Sequence, residues 1–329
     1  MSRHEHLLTP KIGLGCMNLS HAYGAPVAEA DAVRALQKAF EMGYRHFDTA
    51  TLYGAGANER LVGQALRGIR EEVMLASKCG MANIHGNKQI NGRPETLRRQ
   101  CEESLKRLQT EHIDLYYLHR KDPDVPIEES VGALQDLVQE GKIGAIGLSE
   151  VSAETLHKAH KEAPITALQS EYSLWTRNPE IATLEATKAL GVTFVAFSPL
   201  GRGFLSNTVS DPEALEDGDI RISMPRFTEA HWPQNQRLLQ DYLATAKRLN
   251  ATPAQLALSW LAHQSEHIVT IPGTRSVAHM QENFEAQHLV LSHDDLSELS
   301  ELFAPTRISG PRYGEALQQE IDTETFDFE

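Results

Sequence analysis

Four side chains have the types and positions to move a proton together: Asp48, Tyr53, Lys78 and His119. In "HFDTATLYGAG" (46–56) an Asp ends a short apolar run, and a Tyr-Gly pair follows five residues later in a small-residue, turn-forming stretch. A phenol with a pKa near ~10 is a weak acid at neutral pH. A nearby ammonium favours the phenolate and lowers that pKa. An Asp beside the lysine would hold it protonated and in place, and a histidine at hydrogen-bond distance could orient a carbonyl or relay a proton. The set therefore reads as a proton donor for an oxygen that becomes an alkoxide. Singly, each has an ordinary role: Asp48 a loop cap, Tyr53 a packing residue, Lys78 a solvated strand end, His119 a structural histidine. Their joint placement at successive strand ends points to chemistry.

The elements that must position them are short apolar runs alternating with longer amphipathic ones. "KIGLGCM", "RHFDTA", "EVMLASK", "HIDLYYLH", "IGAIGLS", "ITALQS", "VTFVAFSP" and "HIVTIPG" each read as a buried parallel strand. Helical periodicity fills the gaps. Val33, Leu36, Ala39 and Phe40 share one face, with Gly43 as the cap; Leu97, Cys101, Leu105 and Leu108 share another behind Pro94. Val131, Leu134, Leu137 and Val138 form a third face, and Thr252-Pro253 opens a fourth helix. Strand-then-helix units in one series predict a closed (β/α)8 barrel, a single domain over residues 1–329; an open doubly wound sheet is the alternative. In a barrel, strand C-termini make the active face. Here they end in Asp48, Ser77-Lys78, His119-Arg120, Ser149-Glu150, Gln169-Ser170 and Phe197-Ser198. Residues 202–233 break the rhythm as a loop-like stretch, and 303–329 form a polar C-terminal tail. Trp175 and Trp232 are candidates for an apolar pocket wall.

"FDTATLYG", "ASKCG", "LHR", "GLSE", "QSEYSLW" and "FSPLGRGFL", followed by "IPGTR" and "EN", run in the order of the aldo-keto reductases. The resemblance covers about residues 10–290 and is nearest the bacterial, fungal and plant branch, whose members often begin "GLGCM". It implies a carbonyl reductase on a (β/α)8 barrel with NADPH as cofactor. It also implies Tyr53 as acid, Lys78 and Asp48 as its tuning pair, and His119 as carbonyl-orienting or relay partner. The tyrosine stands past its strand because its hydroxyl must face a substrate; Gly54 and Gly56 would let the loop bend tightly.

No GxGxxG follows a strand. By resemblance, Cys16 and Met17 lie near the cofactor, Phe197 stacks on the nicotinamide, and Ser149 and Gln169 bind its amide. Ser198, Leu200, Gly201 and Arg202 would offer backbone N–H groups and a charge to the pyrophosphate. The "IPGTRS" turn, with Gly273, Thr274 and Arg275, precedes a helix whose N-terminus suits the 2′-phosphate of NADPH. His279, Glu282 and Asn283 match positions near the adenine and its ribose. Glu150 stands where many members carry Asn and calls for a nearby cation, His279 where other branches carry Arg or Gln, and Gly273 where the mammalian branch carries Lys.

Composition narrows the field. A formal net charge of −14 without a Lys/Arg-rich run argues against nucleic acid as a main partner. The 3 cysteines, Cys16, Cys79 and Cys101, suggest neither a disulfide framework nor a zinc knuckle, and the 15 histidines include no HExxH pattern. The N-terminus "MSRHEHLLTP" lacks a signal-peptide core and no apolar run approaches the ~20 residues of a membrane helix. The expectation is a cytoplasmic, monomeric oxidoreductase that reduces an aldehyde or ketone, with a small-molecule carbonyl as partner and no metal. Two other readings stay open: a lyase using Lys78 as a Schiff-base amine, and an NADPH-binding regulatory subunit.

Overall fold

The computed structural model describes residues 10–20, 22–84 and 87–328. The N-terminal stretch 1–9 read above, and His21 at the head of the following loop, lie outside these. All eight expected strands form: β1 (Leu14–Gly15), β2 (His46–Asp48), β3 (Met74–Cys79), β6 (Leu115–Leu118), β7 (Ile146–Ser149), β8 (Ile165–Glu171), β9 (Thr193–Phe197) and β10 (Ile268–Thr270). They make one parallel sheet in that order. It closes through parallel bridges Ile12↔Thr270 and Gly15↔Gly273, with Gly13 N donating to Thr270 O at 2.8 Å. The closed barrel excludes the open doubly wound alternative. Two strands were not expected: β4 (Met81–Ile84) and β5 (Asn87–Ile90) form an antiparallel hairpin above the rim.

The helices follow their sequence signals. Helix α1 (Glu29–Met42) ends on Gly43 at φ 112°, and α2 (Ala57–Leu66) follows the Tyr53 loop. Then come α3 (Pro94–Leu108), opened by its proline, α4 (Ile127–Gln139), α5 (Ala153–Glu162) and α6 (Thr183–Leu190). Helix α7 (Trp232–Arg248) precedes α8 (Pro253–Gln264), which carries a full capping box on Thr252. Helices α9 (Val277–Glu285), α10 (His293–Leu302) and the short α11 (Glu315–Gln318) complete the chain. No helix among the described residues is long and apolar enough to cross a membrane.

Strand periodicity sorts each side chain. Leu14, Phe47, Leu75, Tyr116, Leu118, Leu148 and Leu168 join the layer between barrel and helices. Met74, Ala76, Leu115, Tyr117, Ala167, Val195 and Ile271 fill the barrel interior. Tyr117 fits there because Gly147 opposite has no side chain: a Cβ would lie 2.3 Å from its ring. The same parity turns Asp48, Lys78, His119, Ser149, Gln169 and Phe197 inward at the C-terminal end. His46, also inward but at the opposite end, is buried, and that burial holds its pKa down at about 4, so it stays neutral.

The 202–233 stretch is irregular but anchored. Phe204, Leu205, Val209, Met224 and Phe227 are buried in one core cluster. Trp175 stacks on Phe204 with centroids 3.8 Å apart, and Trp232 on Phe227 at 5.9 Å. Both tryptophans are thus core residues that hold this segment down, not the pocket wall expected of them. The polar tail also docks: Asp322 N donates to Glu150 O at 3.0 Å, and Thr183 Oγ1 donates to Glu324 at 2.7 Å.

Candidate active site

Tyr53, Lys78, Asp48 and His119 converge at the inner C-terminal rim. The Tyr53 loop turns through left-handed backbone at Gly54 (φ 56°), Ala55 (φ 51°) and Gly56 (φ 83°). This sharp turn returns the phenol over β2 and β3. Lys78, fully buried, pairs with Asp48 and donates to Thr49 O at 2.9 Å and to the Tyr53 hydroxyl at 3.3 Å. Gln169 Nε2 donates to the other Asp48 oxygen at 2.8 Å. The His119 ring meets the Tyr53 ring edge-on, centroids 5.9 Å apart.

The electrostatics differ in one respect from the sequence expectation. Lys78 does pull the Tyr53 pKa down, but burial, the largest effect, together with Asp48 leaves it raised above the ordinary phenol value. Tyr53 is therefore a protonated phenol at neutral pH, with an ammonium in place to receive the phenolate charge. Burial alone lowers the Lys78 pKa; Asp48 and Tyr53 outweigh it and raise it above the ordinary lysine value.

A cleft of about 780 Å³ runs from this cluster along the rim to the start of α9. The expected cofactor residues line it, apart from Cys16 and Gly201. Cys16 is fully buried and has outward parity: Gly15 faces the interior, so the next residue points into the helix layer, where its thiol donates to Leu14 O. Gly201 is buried within its own turn. Arg202 lines the cleft, but its guanidinium is committed: Nη2 donates to Glu171 at 2.7 Å and to the Tyr313 hydroxyl at 2.8 Å. Its charge is neutralised there, so the free cation expected at the pyrophosphate is not available. At the far end Arg275 is exposed and donates to Ala25 O at 3.0 Å. Ser276 caps α9 by accepting from His279 N at 3.3 Å. Asn283 is buried there, and its Oδ1 has no donor among the described residues.

The tail supplies what the sequence reading lacked. Glu150, fully buried at φ 55°, meets its cation in Arg312, at 2.5 Å. It also accepts from Glu171 N at 2.8 Å. Tyr313 donates to Glu171 at 3.1 Å. The tail is thereby pinned to the ends of β7 and β8, the strands of Ser149 and Gln169. Its Tyr313, Leu317, Glu320 and Ile321 form one wall of the cleft, and Lys88 of the hairpin pairs with Glu320 at 2.6 Å across it. No local pattern announces these partners, because they lie more than 140 residues apart.

The aldo/keto reductase family model matches residues 11–304. The chain belongs to this family. It is an oxidoreductase, and its relatives span the chain. A Glycine max protein named "Probable aldo-keto reductase 1" is 43% identical over 309 residues, 93% of this chain and 89% of that one. The glycerol dehydrogenase of Gluconobacter oxydans superposes with a TM-score of 0.82 at 25% identity, covering 92% of this chain and 93% of that one. An aldo/keto reductase of Klebsiella pneumoniae, solved with NADP and acetate, has a TM-score of 0.71 and 29% identity, covering 93% and 95%.

Proposed function

We propose that this aldo/keto reductase reduces an aldehyde or ketone to the alcohol with NADPH, using Tyr53 as proton donor. The observation that carries the reading is the buried Asp48–Lys78–Tyr53 chain opening into the cleft beside His119. NADPH, when bound, supplies hydride from nicotinamide C4 to the carbonyl carbon. The residues present fit that cofactor: the orphaned Oδ1 of Asn283 suits an adenine amino group, and Arg275 with the capped start of α9 suits a phosphate monoester. Phe197, Ser149 and Gln169 stand at the other end for the nicotinamide and its amide.

Tyr53 O–H donates its proton to the oxygen that would otherwise become an alkoxide. The phenolate left behind is stabilised by Lys78, whose charge is fixed by Asp48, so little reorganisation is needed at the moment of transfer. His119 positions the carbonyl oxygen next to Tyr53. The Schiff-base alternative is disfavoured: an amine nucleophile must be neutral, and Asp48 keeps Lys78 charged. With C4-deuterated NADPH and a panel of aldehydes and ketones, deuterium is expected at the carbinol carbon. Cofactor binding with no label in any alcohol would favour the regulatory-subunit reading.

Arg275→Ala is expected to weaken NADPH about tenfold or more and to leave NADH nearly unchanged, since a charge-assisted contact contributes roughly 1.5–3 kcal/mol. Only NADPH carries the 2′-phosphate. The protein's net −14 opposes that anion at long range, so local cations must outweigh it. Dissociation constants from fluorescence quenching at low and high salt decide the matter: the gap between cofactors should narrow with salt because Arg275 is exposed. An equal loss for both would place Arg275 on a part of the cofactor they share.

A further inference from the structure

The cations that line the cleft are mostly matched with carboxylates. Lys88 pairs with Glu320, Arg202 with Glu171 and Arg221 with Asp219. Among the described residues Arg275 and Arg120 have no acidic partner. Arg275 stands at the 2′-phosphate end. Arg120 stands at the other, directly after His119, and close enough that its charge acts on Tyr53. Its Nη1 donates to His119 O at 2.7 Å and to Ser149 Oγ at 3.3 Å, which fixes the guanidinium plane. Nε is buried without an acceptor, and Nη2 makes no hydrogen bond to any described residue.

A half-buried guanidinium that faces no carboxylate, in a chain with 45 acidic residues, carries a desolvation cost that its bonds to His119 O and Ser149 Oγ offset only in part. Such a group is stabilised when an anion arrives. We propose that the substrate is a carbonyl compound that also carries a carboxylate, bound by Arg120 while its carbonyl lies at Tyr53 and His119. This rests on the reductase reading of the site. A carboxylate suits the position better than a phosphate: one unpaired cation balances one negative charge, and the other cations of this part of the cleft are matched with carboxylates of their own. Leu52, Met81, Leu317 and Ile321 line the same space, so the body between carbonyl and carboxylate is apolar.

The test uses the NADPH-loaded protein and a matched pair, 4-formylbenzoate and its methyl ester, with NADPH oxidation followed by absorbance. The wild type should prefer the acid by about tenfold or more in kcat/KM, the size of a charge-assisted hydrogen bond. The preference should appear mainly in KM. Arg120→Met should bring the acid-to-ester ratio towards one, and Arg120→Lys should keep part of it. Calorimetry of benzoate and benzamide on the NADP⁺-loaded protein gives a second readout that needs no turnover. Wild type should bind the carboxylate at least about tenfold better, and Arg120→Met should lose that margin. If neither aldehyde is reduced, the reductase reading fails, and calorimetry still decides Arg120. An equal fall for acid and ester in Arg120→Met, with the ratio unchanged, would mean that Arg120 only holds Ser149 and the His119 backbone. That result, or equal wild-type binding of benzoate and benzamide, overturns the proposal.

Discussion

Tyr53→Phe is expected to lower kcat for carbonyl reduction about 10²–10⁴-fold, the usual contribution of a positioned general acid, while NADPH affinity stays within about twofold. The ring keeps its place between His119 and Lys78, so the change removes one O–H and its 3.3 Å contact with Lys78. A hydrogen bond of this kind contributes about 1 kcal/mol of stability, less than the transition-state loss of roughly 3–5 kcal/mol that the rate change represents. The pH profile gives an independent check. The acid must be protonated, and burial raises the Tyr53 pKa above the ordinary phenol value. The wild-type rate should therefore hold through the range where a free phenol titrates and fall only as pH rises beyond it. Near-normal turnover in the Phe variant, or a wild-type rate that declines well below that range, would remove Tyr53 as the donor.

The second large effect lies in the tail. Arg312→Met leaves the Glu150 carboxylate buried with the Glu171 N–H but without its cation. Removing one partner of a buried pair typically costs about 3–5 kcal/mol. The tail can escape part of that cost by opening locally, so the loss divides between global stability and tail docking. The urea midpoint should fall, and residues 312–324 should become sensitive to protease. Carbonyl KM should rise more than NADPH Kd, because Leu317 and Ile321 belong to the wall that the tail adds to the cleft. The double variant Glu150→Gln, Arg312→Met should recover part of the stability, since no uncompensated charge remains. A single variant as stable and as protease-resistant as the wild type would show that the pair does not pin the tail.

These two cases mark how the site was legible. The candidate catalytic cluster could be read because Asp48, Lys78 and His119 sit at the ends of successive strands and Tyr53 on the loop after the first of them, and strand ends in a barrel share one rim whatever the rest of the chain does. Apolar runs, Pro94, Thr252-Pro253 and Gly43 are local signals, and the elements they predict all form. Parity could have been read too: Cys16 was expected at the cofactor, yet a period of two carries it outward once Gly15 faces in.

Other features have no local signature. The glutamate at position 150 called for a cation, but nothing in "GLSE" says that the cation is Arg312, 162 residues further on. The charge of Arg202 was legible and its use was not, since Glu171 reaches it from the end of the neighbouring strand and Tyr313 from the folded-back tail. The sign of the Tyr53 shift likewise depends on burial, which the residue types alone do not reveal. Residue types and periodicity determined by themselves the barrel and the four catalytic candidates, because backbone hydrogen bonding and the pleat impose a repeat that any strand or helix must obey. Which charges neutralise one another, which stay free in the cleft, and that the polar tail folds back as its wall were decided only by tertiary structure. Electrostatic pairing and desolvation depend on distances between residues that chain order does not constrain.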